Sequence, residues 1–320
     1  MTSLKYLLIL IVFTSSALAA PLRVGLVLDK NGKADKGFNA AAFSGLQQAI
    51  RALKISGDAV EAQADNGHEA LLRDFAKKGY DLIIALGEAR APAVRKVAAE
   101  FPNSKFAIID ADVSAPNVRS ILFKEQEGSY LVGALAALMS KTHTIGFLGG
   151  MKVPVIRRYE VGFQLGGKKI DSKIRILSDY IGTTSEAWNN KTKAHELALS
   201  EYASGADIIY AASGGSNLGV FDAADEKGKF AIGVSNQNWI KPGRILTSMR
   251  KRVDIAVLIT CQDVMTGGFS AELKKYGLAE QGVDFVMDSF NEKLVPAAVL
   301  EKVNKLRDDI TEEKIKVPSE

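Results

Sequence analysis

The sequence has few of the residues that fasten a fold covalently or carry metal chemistry. Its one cysteine, Cys261, excludes an intramolecular disulfide and any cysteine-based zinc site. Its three histidines, His68, His143 and His195, lie far apart with no HExxH-type pairing. The dinucleotide fingerprint GxGxxG is missing after the first strand-like run, where the turn reads Asp29-Lys30-Asn31-Gly32-Lys33-Ala34-Asp35-Lys36-Gly37. Ser213-Gly214-Gly215-Ser216-Asn217-Leu218-Gly219 is neither a Walker A sequence nor GxSxG. Forty-one basic against 37 acidic residues leave +4, too small an excess for a polyanion-binding protein. With 8 prolines and 28 glycines in 320 residues, no collagen-like or low-complexity reading survives. Past the N-terminus no apolar run approaches the roughly 20 residues a membrane-spanning helix needs.

What is present begins with a leader. Lys5 precedes an apolar run over 6–13, and small residues follow, with Ala17-Leu18-Ala19 in the small-x-small pattern of a cleavage site. This predicts a cleaved signal peptide over 1–19 and a periplasmic or secreted product. No cysteine follows the small residues, so a lipid-anchored form is not expected.

The remaining length suits two domains. Strand-like runs fall at 22–28, 59–64, 81–86 and 105–109, with helical patterns at 38–53, 69–78 and 92–100 between them. The run Leu82-Ile83-Ile84-Ala85-Leu86 is continuously apolar, as in a parallel sheet covered on both faces. The alternation then restarts, with strands at 144–148, 174–177, 207–211 and 230–234 and helices at 155–165, 192–202 and 218–225. Three further strand–helix pairs, 119–123 with 127–139, 245–249 with 253–265, and 283–287 with 296–306, fall where one half ends and the other would resume. The pattern predicts an α/β protein of two doubly wound parallel-sheet domains joined by three crossover strands. The lobes would be 21–122 plus 250–281 and 123–249 plus 282–320. Two domains in simple tandem with a C-terminal appendage is the alternative.

Polar and aromatic residues gather just after strand ends, where open α/β sheets bind ligands. They are Asp29 and Asp35-Lys36-Gly37-Phe38-Asn39, then Asp110, Trp188, Gly214-Gly215 and Ser235-Asn236-Gln237-Asn238-Trp239. The Gly214-Gly215 turn either presents backbone N–H groups to a ligand or is simply a tight turn. Asp110 with Asp112 and Asp308 with Asp309 read as loop and surface residues, Cys261 as a buried thiol, and Arg250-Lys251-Arg252 as a solvated face. Two such clusters on facing domains make a cleft with a hydrogen-bonding floor and aromatic walls. It lacks a nucleophile–base pair and a metal site, so a binding protein is expected rather than an enzyme.

Asp35-Lys36-Gly37-Phe38-Asn39 resembles the DKSFN segment of the basic membrane protein family, the purine-nucleoside receptors of ABC importers. Segments 127–133 (EGSYLVG), 145–151 (IGFLGGM), 205–210 (GADIIY) and 246–254 (LTSMRKRVD) resemble the same family, in family order. The resemblance implies a type I periplasmic-binding-protein fold, no cofactor, and a monomer that hands a small molecule to an inner-membrane ABC permease, with no nucleic-acid partner. It implies that Phe38 stacks on a base, that Asn39 and Asp110 hydrogen-bond the base edge with Asp29 nearby, and that Lys251 donates on the ribose side. Gly214 and Gly215 would approach the ligand with their backbone, and Trp188 would be the opposite wall. The family's GVDSxQ segment reads GVSNQNW at 233–239, without the acid. Asn236 or Gln237 would then serve beside Lys251, and discrimination between ribose and deoxyribose would be weaker. A sensor passing its closed state to a membrane signalling partner is the alternative function. A secreted nucleoside hydrolase would want a DxDxxxDD-like run, which Asp29 and Asp35 do not make.

Overall fold

The computed structural model describes residues 21–64 and 66–320; the expected leader lies outside them. The chain runs β1 (Arg23–Leu28), α1 (Phe38–Leu53), β2 (Ser56–Glu61), α2 (His68–Lys77), β3 (Leu82–Leu86), α3 (Ala91–Glu100), β4 (Lys105–Ile109) and β5 (Val118–Phe123). It continues with α4 (Glu125–Met139), β6 (Thr144–Gly149), α5 (Pro154–Ile170), β7 (Arg175–Tyr180), α6 (Lys191–Ala203), β8 (Ile208–Ala212), α7 (Asn217–Glu226), β9 (Phe230–Val234) and β10 (Ile245–Lys251). Then come α8 (Val253–Thr266), β11 (Leu273–Tyr276), β12 (Val283–Phe285) and α9 (Ala297–Thr311).

These strands form two six-stranded sheets, ordered β11-β5-β4-β3-β1-β2 and β12-β10-β9-β8-β6-β7. Neighbours within them run parallel except β10 and β12, which are antiparallel. Every residue of β3 is buried, as a central strand with helices on both faces requires. In the second lobe α4 and α5 approach closely enough to exclude a side chain. A Cβ on Gly166 would lie 1.9 Å from the Tyr130 carbonyl oxygen and one on Gly133 2.2 Å from that of Phe163.

The chain passes between the sheets three times. It leaves the first after β5 through Lys124 (φ −89, ψ 66) and returns after β10 through Arg252 (φ −85, ψ 55), so that α8 packs on α1. The third passage joins β11 to β12. The fold is thus two doubly wound domains with three crossings, as the sequence pattern indicates.

Some boundaries differ from the sequence reading. β2 begins at Ser56 rather than 59, because this edge strand pairs only with β1 and its Ser-Gly-Asp start carries no apolar run. β11 was not expected. It is a short basic edge strand beside β5, and charge on an exposed edge discourages pairing with other chains. Among the described residues, no helix is long and apolar enough to cross a membrane.

Candidate functional site

A cavity of about 660 Å³ lies between the two lobes at the carboxyl ends of their strands, where α/β sheets of this kind hold ligands. Asp29, Phe38, Asn39, Asp110, Trp188, Gly214, Gly215 and Lys251 all line it.

The first wall is built by the loop after β1. Asp35 caps α1: Oδ1 accepts from the Gly37 and Ala40 N–H groups at 2.8 and 3.0 Å, and Oδ2 from the Asn39 N–H at 2.9 Å. Capping fixes the first helical residue, Phe38, half-buried at the cavity edge. Asn39 braces this loop. Its amide donates to Asp29 Oδ1 (2.9 Å) and Asp35 Oδ2 (3.0 Å), and its Oδ1 accepts from the Asp29 N–H (3.1 Å). Both amide hydrogens are therefore used inside the loop. Burial raises the Asp29 carboxyl above its ordinary value.

The floor is charged. Asp110 follows β4 in the left-handed region (φ 66), and Ser235 follows β9 with nearly the same angle (φ 67). Such backbone is strained for a residue with a Cβ, and here it recurs at equivalent strand ends of the two lobes. Lys251, 5% exposed, closes β10. Its Nζ lies 2.6 Å from Asp110 Oδ2 and 2.8 Å from Glu125 Oε1. Glu125 is fully buried, and its Oε2 accepts from Arg158 Nε at 2.6 Å. The ammonium also sits 5.4 Å from the centre of the Phe38 ring and 5.0 Å from that of Phe123, within cation–π range. Burial opposes the lysine's charge, but Asp110 and Glu125 outweigh it and hold the ammonium above its ordinary value. Asp110 moves up as well, because burial exceeds the pull of Lys251. Asp110 Oδ1 is buried and has no hydrogen-bond partner.

The second wall is Trp188. Its ring lies against the Gly150 backbone so closely that a Cβ on Gly150 would come within 2.2 Å of it. Gly214 (φ 64) and Gly215 pack beneath: a Cβ on either would lie 3.2 Å from the Trp188 carbonyl oxygen. The glycines thus let the turn approach the Trp188 backbone closely.

Asn236 does not line the cavity. The left-handed turn at Ser235 leaves it exposed, and its carbonyl accepts from Trp239 Nε1 at 3.0 Å. Gln237 does line it, with its amide committed. Oε1 accepts from Asn217 Nδ2 (2.9 Å) and the Val234 N–H (3.1 Å), while Nε2 donates across the cleft to the Lys36 carbonyl (3.3 Å). A second bond across the cleft joins Lys30 Nζ to Ser185 Oγ at 2.8 Å.

Glu125 and Arg158 escaped the sequence reading, as did Tyr159, which lines the cavity with its ring centre 5.9 Å from Lys251 Nζ. Glu125 directly follows a strand and its hinge residue, the same kind of position that pointed to Asp110. Arg157-Arg158 reads as an ordinary solvated pair.

The family described as "ABC transporter substrate-binding protein PnrA-like" matches residues 23–320. A CD4+ T-cell-stimulating antigen of Listeria monocytogenes is 33% identical over 92% of this chain and 87% of its own length. The ABC transporter nucleoside-binding protein BmpA of Lactococcus lactis subsp. cremoris is 31% identical over 96% of this chain and 92% of its own. Among solved structures, a solute-binding protein of an ABC transporter system from Aeropyrum pernix K1 superposes with a TM-score of 0.85 at 25% identity, covering 94% of each chain. The chain therefore belongs to the PnrA-like family of extracytoplasmic ABC transporter substrate-binding proteins, which have the type I periplasmic-binding fold and are not enzymes.

Proposed function

We propose that this chain captures a purine nucleoside or related base in its cleft and delivers it to an ABC permease of the inner membrane. The lobes that close on the ligand, moving about the three crossings, are those expected from the sequence, 21–122 plus 250–281 and 123–249 plus 282–320, with one adjustment. Phe123 ends a strand of the first sheet and Arg250 and Lys251 belong to the second, so two of the three crossings fall at Lys124 and Arg252. The mature protein begins near Ala20 and works as a monomer.

The observation that carries this reading is the buried Asp110 Oδ1, without a partner in a residue that lines the cavity. An ionised carboxylate only accepts hydrogen bonds, and a buried polar atom left unsatisfied costs about 1–3 kcal/mol. A base edge offering N–H groups removes that cost. Lys251 has three donors; it donates one to Asp110 and lies as an ion pair beside Glu125, which leaves donor capacity for a hydroxyl or carbonyl oxygen. Phe38 and Trp188 supply flat apolar surface, which suits a purine ring. The cavity volume falls in the range typical of small-molecule sites, about 300–1,000 Å³. A relative named as nucleoside-binding supports the same class.

A thermal-shift panel of nucleosides, free bases, sugars and amino acids on residues 20–320 tests this. A ligand at 100 times its Kd stabilises the folded state by about 2.7 kcal/mol, a shift that is easily read. Stabilisation by purine nucleosides or bases is expected. A shift with a sugar or an amino acid and none with any nucleoside or base would refute it.

A further inference from the structure

The charges under the cleft form a row. Arg158 Nε contacts Glu125 Oε2 at 2.6 Å, Glu125 Oε1 contacts Lys251 Nζ at 2.8 Å, and Lys251 Nζ contacts Asp110 Oδ2 at 2.6 Å. The signs alternate and cancel. Asp110 belongs to the first sheet's lobe; the other three project from α5, α4 and β10 of the second. Glu125 directly follows the crossing residue Lys124, and Lys251 directly precedes the crossing residue Arg252. The geometry of Lys251 is thus set beside two of the three passages between the lobes.

The sharing has a consequence for Asp110. A lysine with a single buried carboxylate is drawn toward both of its oxygens, because Coulomb attraction in a poorly screened interior is strong and little else competes. Here the ammonium stands between two carboxylates, donating a hydrogen bond to Asp110 Oδ2 and pairing by charge alone with Glu125 Oε1, which has no hydrogen-bond partner. Asp110 Oδ1 is left over. We propose that Glu125, itself held by Arg158, is a positioning residue that keeps the Lys251 ammonium off Asp110 Oδ1 and so leaves that oxygen available to the ligand. Glu125 touches no ligand; it sets what Asp110 can accept. The ligand arm of the test rests on the nucleoside reading above, whereas the carboxylate arm needs no ligand.

The test uses Glu125→Gln, which keeps the shape and removes the charge. Protein labelled with ¹³C at the aspartate carboxyls is titrated without ligand, the Asp110 resonance being assigned by its loss in Asp110→Asn. The titratable groups around Asp110 are Lys251, Glu125, the Tyr159 hydroxyl and, more distantly, Arg158. With the repulsion of Glu125 gone and Lys251 wholly its own, Asp110 should titrate lower by about one unit or more, a tenfold change in proton affinity. Inosine and hypoxanthine should both bind about tenfold or more weakly, to the same degree, because the loss is on the base side. An Asp110 midpoint that stays put or rises overturns the proposal, as does unchanged affinity for ligands the parent binds. If the parent binds neither ligand and the midpoint still falls, the nucleoside reading fails and the positioning role stands. Should Glu125→Gln not fold, Arg158→Gln approaches from the other end. Removing that cation should move the Asp110 midpoint up, and no movement overturns the proposal.

Discussion

Glu201 on α6 is a buried acid with nothing to hold it. It is 2% exposed, and neither carboxyl oxygen has a hydrogen-bond partner. Oε2 lies over the β6 backbone, where a Cβ on Gly146 would come within 2.0 Å of it. Burial, with a smaller contribution from the charge of Asp179, pushes its carboxyl from 4.5 up to about 9. The folded chain therefore keeps a proton at pH 7 that the unfolded chain releases. The stability this group contributes is full below pH 4.5 and drains away as pH rises through 9. At 1.36 kcal/mol per unit, the loss is about 3 kcal/mol by pH 7 and about 6 kcal/mol by pH 9. Glu201→Gln has the shape of the protonated acid and no proton to lose. Urea unfolding at half-unit steps from pH 4.5 to 9 should find the two proteins equal at the acid end. The variant should then gain about 1.4 kcal/mol per unit until the advantage levels off near pH 9. Curves that stay parallel across this range would refute the argument, and so would a variant that loses ground as pH rises.

Other expectations concern the cleft. Phe38→Leu should weaken nucleoside binding by about 0.5–1.5 kcal/mol, the share of an aromatic pair beyond area burial, with the melting temperature of the ligand-free protein unchanged; a sharply lower melting temperature would make Phe38 a core residue instead. Gly150→Ala puts a methyl where the Trp188 ring now lies, so affinity and tryptophan emission should change together while far-UV circular dichroism does not. Lys251→Met leaves Asp110 and Glu125 without their shared cation, a loss of about 3–5 kcal/mol in urea unfolding. Comparing inosine, 2′-deoxyinosine and hypoxanthine on that variant should show loss of the ribose-dependent part of binding, and equal affinities for all three on parent and variant would remove Lys251 from the site.

The alternation of buried strands and amphipathic helices was legible because β3 and β8 are apolar without interruption and β4 is so after Lys105. The edges were not: β2 and β11 are half-exposed and carry polar residues, so periodicity gives them no contrast. In the cleft, position after a strand was enough to bring Asp29, Phe38, Asp110 and Trp188 to one cavity. The partnerships were hidden. Lys251 and Asp110 are 141 residues apart, and no local pattern records that they meet, or that Glu125 divides the lysine between them. Asn39 stands where the sequence put it, yet its amide is turned into its own loop. Asn236 is turned outward because Ser235 adopts φ 67, a conformation that no neighbouring glycine announces.

The central claim is that a neutral purine ligand satisfies the free oxygen of Asp110 inside the closed cleft. Titration calorimetry of inosine into the parent protein and into Asp110→Ala tests it most directly. One inosine should bind per chain, and the variant should lose about 1–3 kcal/mol, about five- to 150-fold in Kd, because the base N–H groups then have no acceptor. Equal affinity in the two proteins, or no binding of inosine, guanosine, adenosine or their bases to the parent, would contradict the account.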